Sequence, residues 1–303
     1  MNHAYIPAFT LEPLKREVRP NEPVAVRTPR FIDDVAAGRV ELPTIPRVVQ
    51  QVIAALRDPD ADSRRIAGAL SQDPILSAKV LRVANSAHYG SQRSMTSIEA
   101  AVARIGTQGL SRLIVACGVS GSFKQIAAID LRIFWRDALV AATAANKLAP
   151  HLSADPEEAY LCGLLHAAGH LILCQSYPDI ANAMFAGFEV VRGPELAAIE
   201  LEAFGIDHPH VGALWVQTLG FAPAVGETIG KSIQPPADGD SPLDLVLRSA
   251  CVLAAAVARK SAADAALTVL PTSVRSRCTA PGGEPTAEFG KLYDTLLQTK
   301  PMA

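Results

Sequence analysis

The chain has 303 residues, enough for one large domain or two modest ones with a real hydrophobic core. A formal net charge of -2 excludes a global attraction to nucleic acid or to an anionic membrane, although a small basic patch remains allowed. Aromatic residues make up only 5% while alanine is abundant, which suits closely packed helices better than a β-sandwich. The five cysteines, Cys117, Cys162, Cys174, Cys251 and Cys278, form no C-x-x-C pair, and four of them lie in apolar segments. They read as buried thiols in a reducing compartment. The N-terminus lacks the charged start and apolar run of a signal peptide, and no uninterrupted apolar stretch reaches the roughly 20 residues of a membrane span. A soluble cytoplasmic protein is expected.

Residues 1–38 hold five prolines with scattered charges and read as an extended or disordered arm, ending in a short helix around Phe31 to Ala37 that Gly38 closes. From Leu42 helix follows helix. Thr44 can cap one whose Ile45, Val48, Val49, Val52, Ile53 and Leu56 recur at the helical period, with Pro46 in its first turn. Asp62 or Ser63 can cap the next. Asp73-Pro74 is a cap followed by proline at the first helical position, opening Ile75 to Ala84. Asn85-Ser86 ends that helix, and the polar run to Ser94 is a surface loop. Thr96 and Glu99 form a capping box, Gly106 stops that helix and Thr107 starts another.

A second group begins where Asp130 caps a helix through Leu148, and Asp155-Pro156-Glu157-Glu158 opens the next. That one leads into Leu161 to Leu173, apolar nearly all round and so central, with Gly163, His166 and His170 on its minority face. Further helices are expected at Pro194 to Phe204, Pro209 to Gly220, Pro223 to Ser232 and Pro242 to Lys260. Residues 261 to 284 look irregular, and a last helix spans Thr286 to Thr299. No strand and no fixed repeat is evident.

Leu42-Pro43-Thr44-Ile45-Pro46, Ser71-Gln72-Asp73-Pro74-Ile75-Leu76, Val80-Leu81-Arg82-Val83-Ala84-Asn85-Ser86-Ala87, Tyr89-Gly90 and Ser97-Ile98-Glu99-Ala100-Ala101 resemble, in order and spacing, the HDOD domain, the HD-related output domain of bacterial signalling proteins. The likeness runs from Leu42 to Arg259. It implies an all-α, two-lobed fold: an N-terminal helical lobe over 39–125 packed on an HD-like lobe over 126–260, with 261–303 as a C-terminal extension carrying one helix.

In the catalytic relatives, a histidine, an adjacent His-Asp pair and a distant aspartate hold divalent metal that polarises phosphate and activates water. Placed on this sequence, the pair becomes His166-Ala167, the first histidine becomes Asp137 after Trp135, and the closing aspartate becomes Cys251. Where some relatives carry further histidines, the chain reads Gly230-Lys231-Ser232. The resemblance therefore implies a vestigial pocket of Asp137, His166, Ala167 and Cys251, with no catalytic residue, metal or other cofactor. Three of the four liganding types are changed, although Asp137, His166 and Cys251 could still make a soft zinc site if they converge.

Read for themselves, His166 and His170 are satisfied core groups or ligands, and the former reading is favoured. Pro43, Pro46, Asp73, Pro74, Asn85, Ser86 and His208 match family motifs but serve the fold, Asn85 as a left-handed cap and Asp207 or His208 as a cap before Pro209. Arg64, Arg65, Lys79, Arg82 and Arg93 read as a solvated face. No Walker loop, G-x-S-x-G or Gly-rich dinucleotide turn supports another enzyme class. The expected function is a non-catalytic signalling module that binds protein partners, not nucleic acid or membrane. The alternatives are an HD-type phosphohydrolase with atypical ligands, or a sensor that binds a nucleotide or other small molecule in the vestigial pocket. His170 is left without a role.

Overall fold

Apolar residues at helical spacing, cut by cap and proline signals, become helices throughout the computed structural model, which describes residues 31–56, 63–85, 96–185 and 192–300. Among the described residues there is no strand, only an isolated antiparallel bridge between Thr279 and Pro285. The first lobe holds α1 (Phe31–Ala36), α2 (Arg47–Leu56), α3 (Ser63–Ser71), α4 (Pro74–Ala84) and α5 (Ile98–Gly121). Asp73 caps α4 by accepting from the Leu76 amide at 2.9 Å, with Pro74 next in line. Gly106, at φ 75°, interrupts α5. Val49, Val52, Ile66, Leu70, Val80, Leu110 and Ile114 are all buried to 2% exposure or less and form the lobe's centre.

The second lobe comprises α6 (Leu131–Leu148), α7 (Pro156–Leu165), α8 (Ala168–Ser176), α9 (Pro178–Phe185), α10 (Gly193–Phe204), α11 (His208–Thr218), α12 (Pro223–Gly230) and α13 (Pro242–Ala258). Backbones meet closely here: a Cβ on Gly163 of α7 would lie 2.6 Å from the Ala142 Cα of α6. One core cluster runs through both lobes, from Phe31 to Leu247. Polar ties lock them. Trp215 Nε1 donates to the Pro43 carbonyl at 2.7 Å, Arg112 Nε meets Glu157 Oε2 at 3.0 Å, and Tyr177 donates to Asp34 at 2.7 Å.

A second cluster joins the outer side of α6 and α13 to the C-terminal helices α14 (Ala263–Thr268), α15 (Thr272–Cys278) and α16 (Ala287–Leu297). Phe289, Tyr293 and Leu296 are buried in it, and Tyr293 donates to the Ser261 carbonyl at 2.9 Å. Helices α14, α15 and α16 are thus part of the packed body. No helix among the described residues is long and apolar enough to cross a membrane.

Several local expectations need correction. α14 and α15, six and seven residues long, are too short to show a period, so 261–284 reads as irregular in sequence although it is largely helical. The eight-residue α9 escapes for the same reason. α2 starts at Arg47, the Pro46 carbonyl accepting its first bonds, so Thr44 lies outside it. Ser97, not Thr96, caps α5. Asn85 ends α4 at φ -83°, in the right-handed region, so it is no left-handed cap. Lys79 is half-buried, donating to the Cys117 carbonyl at 3.0 Å and to the Ser120 hydroxyl at 2.9 Å, and does not belong to a solvated face. The central stretch is not one helix: α7 ends at Leu165 and α8 starts at Ala168. The arm up to residue 30, Asp62, Ser86, the loop to Ser94 and Arg93 lie outside the described residues.

Candidate functional site

The break between α7 and α8 builds the site. Asp155 starts α7 by accepting from the Glu157 and Glu158 amides at 2.9 and 2.8 Å, and Ala167 at φ -106°, ψ 2° turns the chain out of the helix. At the turn His166 bends back, its Nδ1–H donating to the Gly163 carbonyl at 2.8 Å. That bond uses an otherwise orphaned carbonyl and leaves Nε2 with its lone pair. Gly169 then lets α8 press against α11, since a Cβ there would lie 2.1 Å from the His208 carbonyl oxygen and 2.7 Å from the Gly212 nitrogen. The crossing brings His166, His170 and His208 to the wall of one cleft of about 790 Å³.

Asp137 from α6, Ala167 and Cys251 from α13 line the same cleft, so all four positions expected of the vestigial pocket come together. Their chemistry does not suit a divalent metal. Each Asp137 oxygen is held by a guanidinium, Arg136 Nε at 3.0 Å on Oδ1 and Arg192 Nε at 3.0 Å on Oδ2. Burial pushes the Cys251 thiol up to about 12, so in the metal-free cleft it is a neutral, soft group where the HD hydrolases carry a carboxylate. His166 is the exception: burial takes it down to about 4 against the opposing bond to Gly163, and the neutral ring with Nδ1–H on that carbonyl is the form in which a histidine ligates, so the mismatch lies with the other three positions. Ala167 offers nothing. Among the described residues no group of three or more His, Cys, Asp or Glu is placed to hold a metal ion. The residues present do not fit the metal of the HD hydrolases.

Sequence reasoning missed Glu200. It is fully buried on α10 and joins two histidines: His170 Nδ1 lies 2.6 Å from Oε1, while His208 reaches Oε2 with Nδ1 at 2.6 Å and its backbone amide at 2.8 Å. Burial alone would raise this carboxyl, but the hydrogen bonds from the two histidines outweigh it and hold it down to about 2. A carboxylate that only accepts requires a proton on both Nδ1 atoms. The signal was present: Leu196, Ala197, Glu200 and Phe204 share the buried stripe of α10, so a glutamate occupies a core position. His170 thereby gains a role.

Asp207, not His208, caps α11, accepting from the His210 amide at 3.1 Å, and His208 is buried at 2% exposure. Of the other motif positions, Pro43 holds Trp215 between the lobes, while Pro46, Asp73, Pro74 and Asn85 sit at ends of α2 and α4, away from the cleft.

The family model of the HDOD domain matches residues 42–235. A crystal structure of a candidate phosphohydrolase from Shewanella amazonensis superposes with a TM-score of 0.65 at 27% identity, covering 88% of this chain and 92% of that one. A candidate signal transduction protein from Marinobacter aquaeolei gives 0.63 at 23% identity over 84% of this chain and 58% of its own. An HDOD domain protein of unknown function from Geobacter sulfurreducens gives 0.58 at 23% identity, covering 75% and 77%. An uncharacterized Treponema pallidum protein is 25% identical over 211 residues, which are 69% of this chain but 41% of that protein's length. With the family model covering well over half its length, and with the fold and motif order in agreement, the chain belongs to the HDOD domain family.

Proposed function

We propose that the chain is a non-catalytic regulatory unit of a bacterial signalling system, acting in the cytoplasm through protein partners. One observation supports this reading: Ala167, which the family resemblance aligns with the metal-binding carboxylate of the HD pair, lines the cleft with no donor, and Asp137 beside it is held by Arg136 and Arg192. The family supplies the signalling context and the lost donor set argues against turnover. The test is affinity capture from the native cytoplasm with the full-length protein and with a version lacking residues 1–38. Specific enrichment of a signalling component supports the reading, whereas no enrichment by either version under any growth condition contradicts it.

A second reading is an HD-type phosphohydrolase with unusual ligands, favoured by the 27% identity to a candidate phosphohydrolase. Stoichiometric metal in the purified protein, with phosphodiesterase or phosphatase turnover abolished by His166→Ala, would establish it instead.

A further inference from the structure

A second cavity, of about 260 Å³, opens on the outer side of α6, where the C-terminal helices pack. It shares no lining residue with the cleft, and most of its wall comes from α15 and α16, beyond the residues that the family model matches. The buried side chains of Leu148 and Phe289 back it. Three cations line it, each from a different helix: Lys147 in the last turn of α6, Arg277 in the last turn of α15 and Lys291 on α16. Direct contacts draw these elements together. The Arg277 guanidinium donates to the His151 carbonyl, in the 3-10 turn Ala149–Leu152 that directly follows α6. His151 Nε2 in turn lies 3.5 Å from Glu288 Oε1, one turn before Lys291 on α16.

Neither lysine ammonium has an ion-pair or hydrogen-bond partner among the described residues, and Arg277 meets no carboxylate among them. Glu288 is the one acidic side chain in the lining, and at 78% exposure it sits at the rim. A lysine alone on a surface is ordinarily just solvated. Three cations around one concave, apolar-backed space instead repel one another and focus a positive potential into it, which a bound anion relieves.

We propose that this cavity binds a compact phosphate-bearing polyanion of diphosphate type through its phosphate oxygens. Cations approaching from three helices suit the tetrahedral spread of those oxygens, whereas a carboxylate presents two oxygens in one plane. The volume falls below the roughly 300–1,000 Å³ of drug-sized sites, which favours a compact group over a whole nucleotide. The site is separate from the cleft, so the inference holds whether or not the cleft turns phosphate over.

Inorganic pyrophosphate is the probe, titrated by calorimetry into the full-length protein at low salt without added metal. It is expected to bind with a dissociation constant of about 1 mM or tighter, and citrate at least about tenfold more weakly. Lys147→Gln and Lys291→Gln should each weaken pyrophosphate severalfold, and together at least about tenfold. Both side chains are exposed, so the double variant should keep the wild-type thermal transition. Glu288→Gln removes the rim carboxylate and should tighten binding severalfold, a gain that damage to the fold does not produce. Lys124→Gln, exposed and outside the cavity, should change nothing. Absence of pyrophosphate binding at about 1 mM, citrate binding of equal strength, full affinity in the double lysine variant or no gain in Glu288→Gln would each overturn the proposal. None of these results bears on metal content or turnover in the cleft, so this site and the non-catalytic reading fail separately.

Discussion

Glu200→Gln isolates the buried His170–Glu200–His208 bridge with almost no change of volume. The glutamine oxygen can accept from one histidine, but its amide group faces the other as donor against donor, so at least one of the contacts at 2.6 Å is lost. The substitution also removes the charge that strengthened both bonds. A hydrogen bond to a charged group contributes about 1.5–3 kcal/mol and a stranded buried donor costs about 1–3 kcal/mol, so a loss near 3 kcal/mol is expected. For a chain of this size that lowers the midpoint of thermal unfolding by roughly 6–12 °C. Glu202 is exposed on the same helix, so Glu202→Gln should stay within about 0.5 kcal/mol. The assay is urea unfolding followed by far-UV circular dichroism, with wild type and both variants side by side. Equal stability of Glu200→Gln and Glu202→Gln would refute the bridge as a structural element.

Further outcomes follow from the same contacts. Gly169→Ala puts a Cβ 2.1 Å from the backbone oxygen of His208, so α8 and α11 must separate, and a loss of at least about 3 kcal/mol in urea unfolding is expected. Gly239→Ala, with nothing near its Cβ, is the neutral comparison. His166 has a folded value near 4 against 6.5 for an unperturbed imidazole, so the unfolded chain takes up its proton first as pH falls. Its stabilising contribution is present above pH 6.5 and is lost towards pH 4, at most about 3 kcal/mol, and His166→Leu should flatten the stability profile over that window by roughly one proton. Glu200, held near 2 instead of 4.5, acts lower, its own contribution being lost as pH falls from 4.5 towards 2. Ala167→Asp adds one carboxylate but leaves Asp137 held by Arg136 and Arg192, so equilibrium dialysis against manganese should show no stoichiometric binding.

Much of the architecture was legible because long helices carry their own signals. The Asp73-Pro74, Asp130 and Asp155-Pro156 caps stand where sequence reading put them, and the interruption at Gly106 does too. Short helices such as α14 and α15 were not legible, since one or two turns contain too few residues to establish a period. The split at His166-Ala167 was hidden for another reason: both flanking segments are apolar all round, and alanine carries no stop signal. The four positions expected from motif order line one cleft, yet their partners could not be read from sequence. Arg192 lies 55 residues from Asp137, and Glu200 lies 30 from His170, separations that only the tertiary fold closes. A carboxylate on the apolar stripe of α10 was the available hint, and a buried glutamate requires nearby donors, which are the two histidines.

The central claim, that a hydrolase pocket has been retained without its metal chemistry, is tested most directly by elemental analysis of the full-length protein purified without chelators, paired with phosphodiesterase assays in manganese, iron and magnesium. The expected result is well under one metal ion per chain and no turnover that depends on His166. One or more tightly held ions per chain, with hydrolysis abolished by His166→Ala, would contradict it.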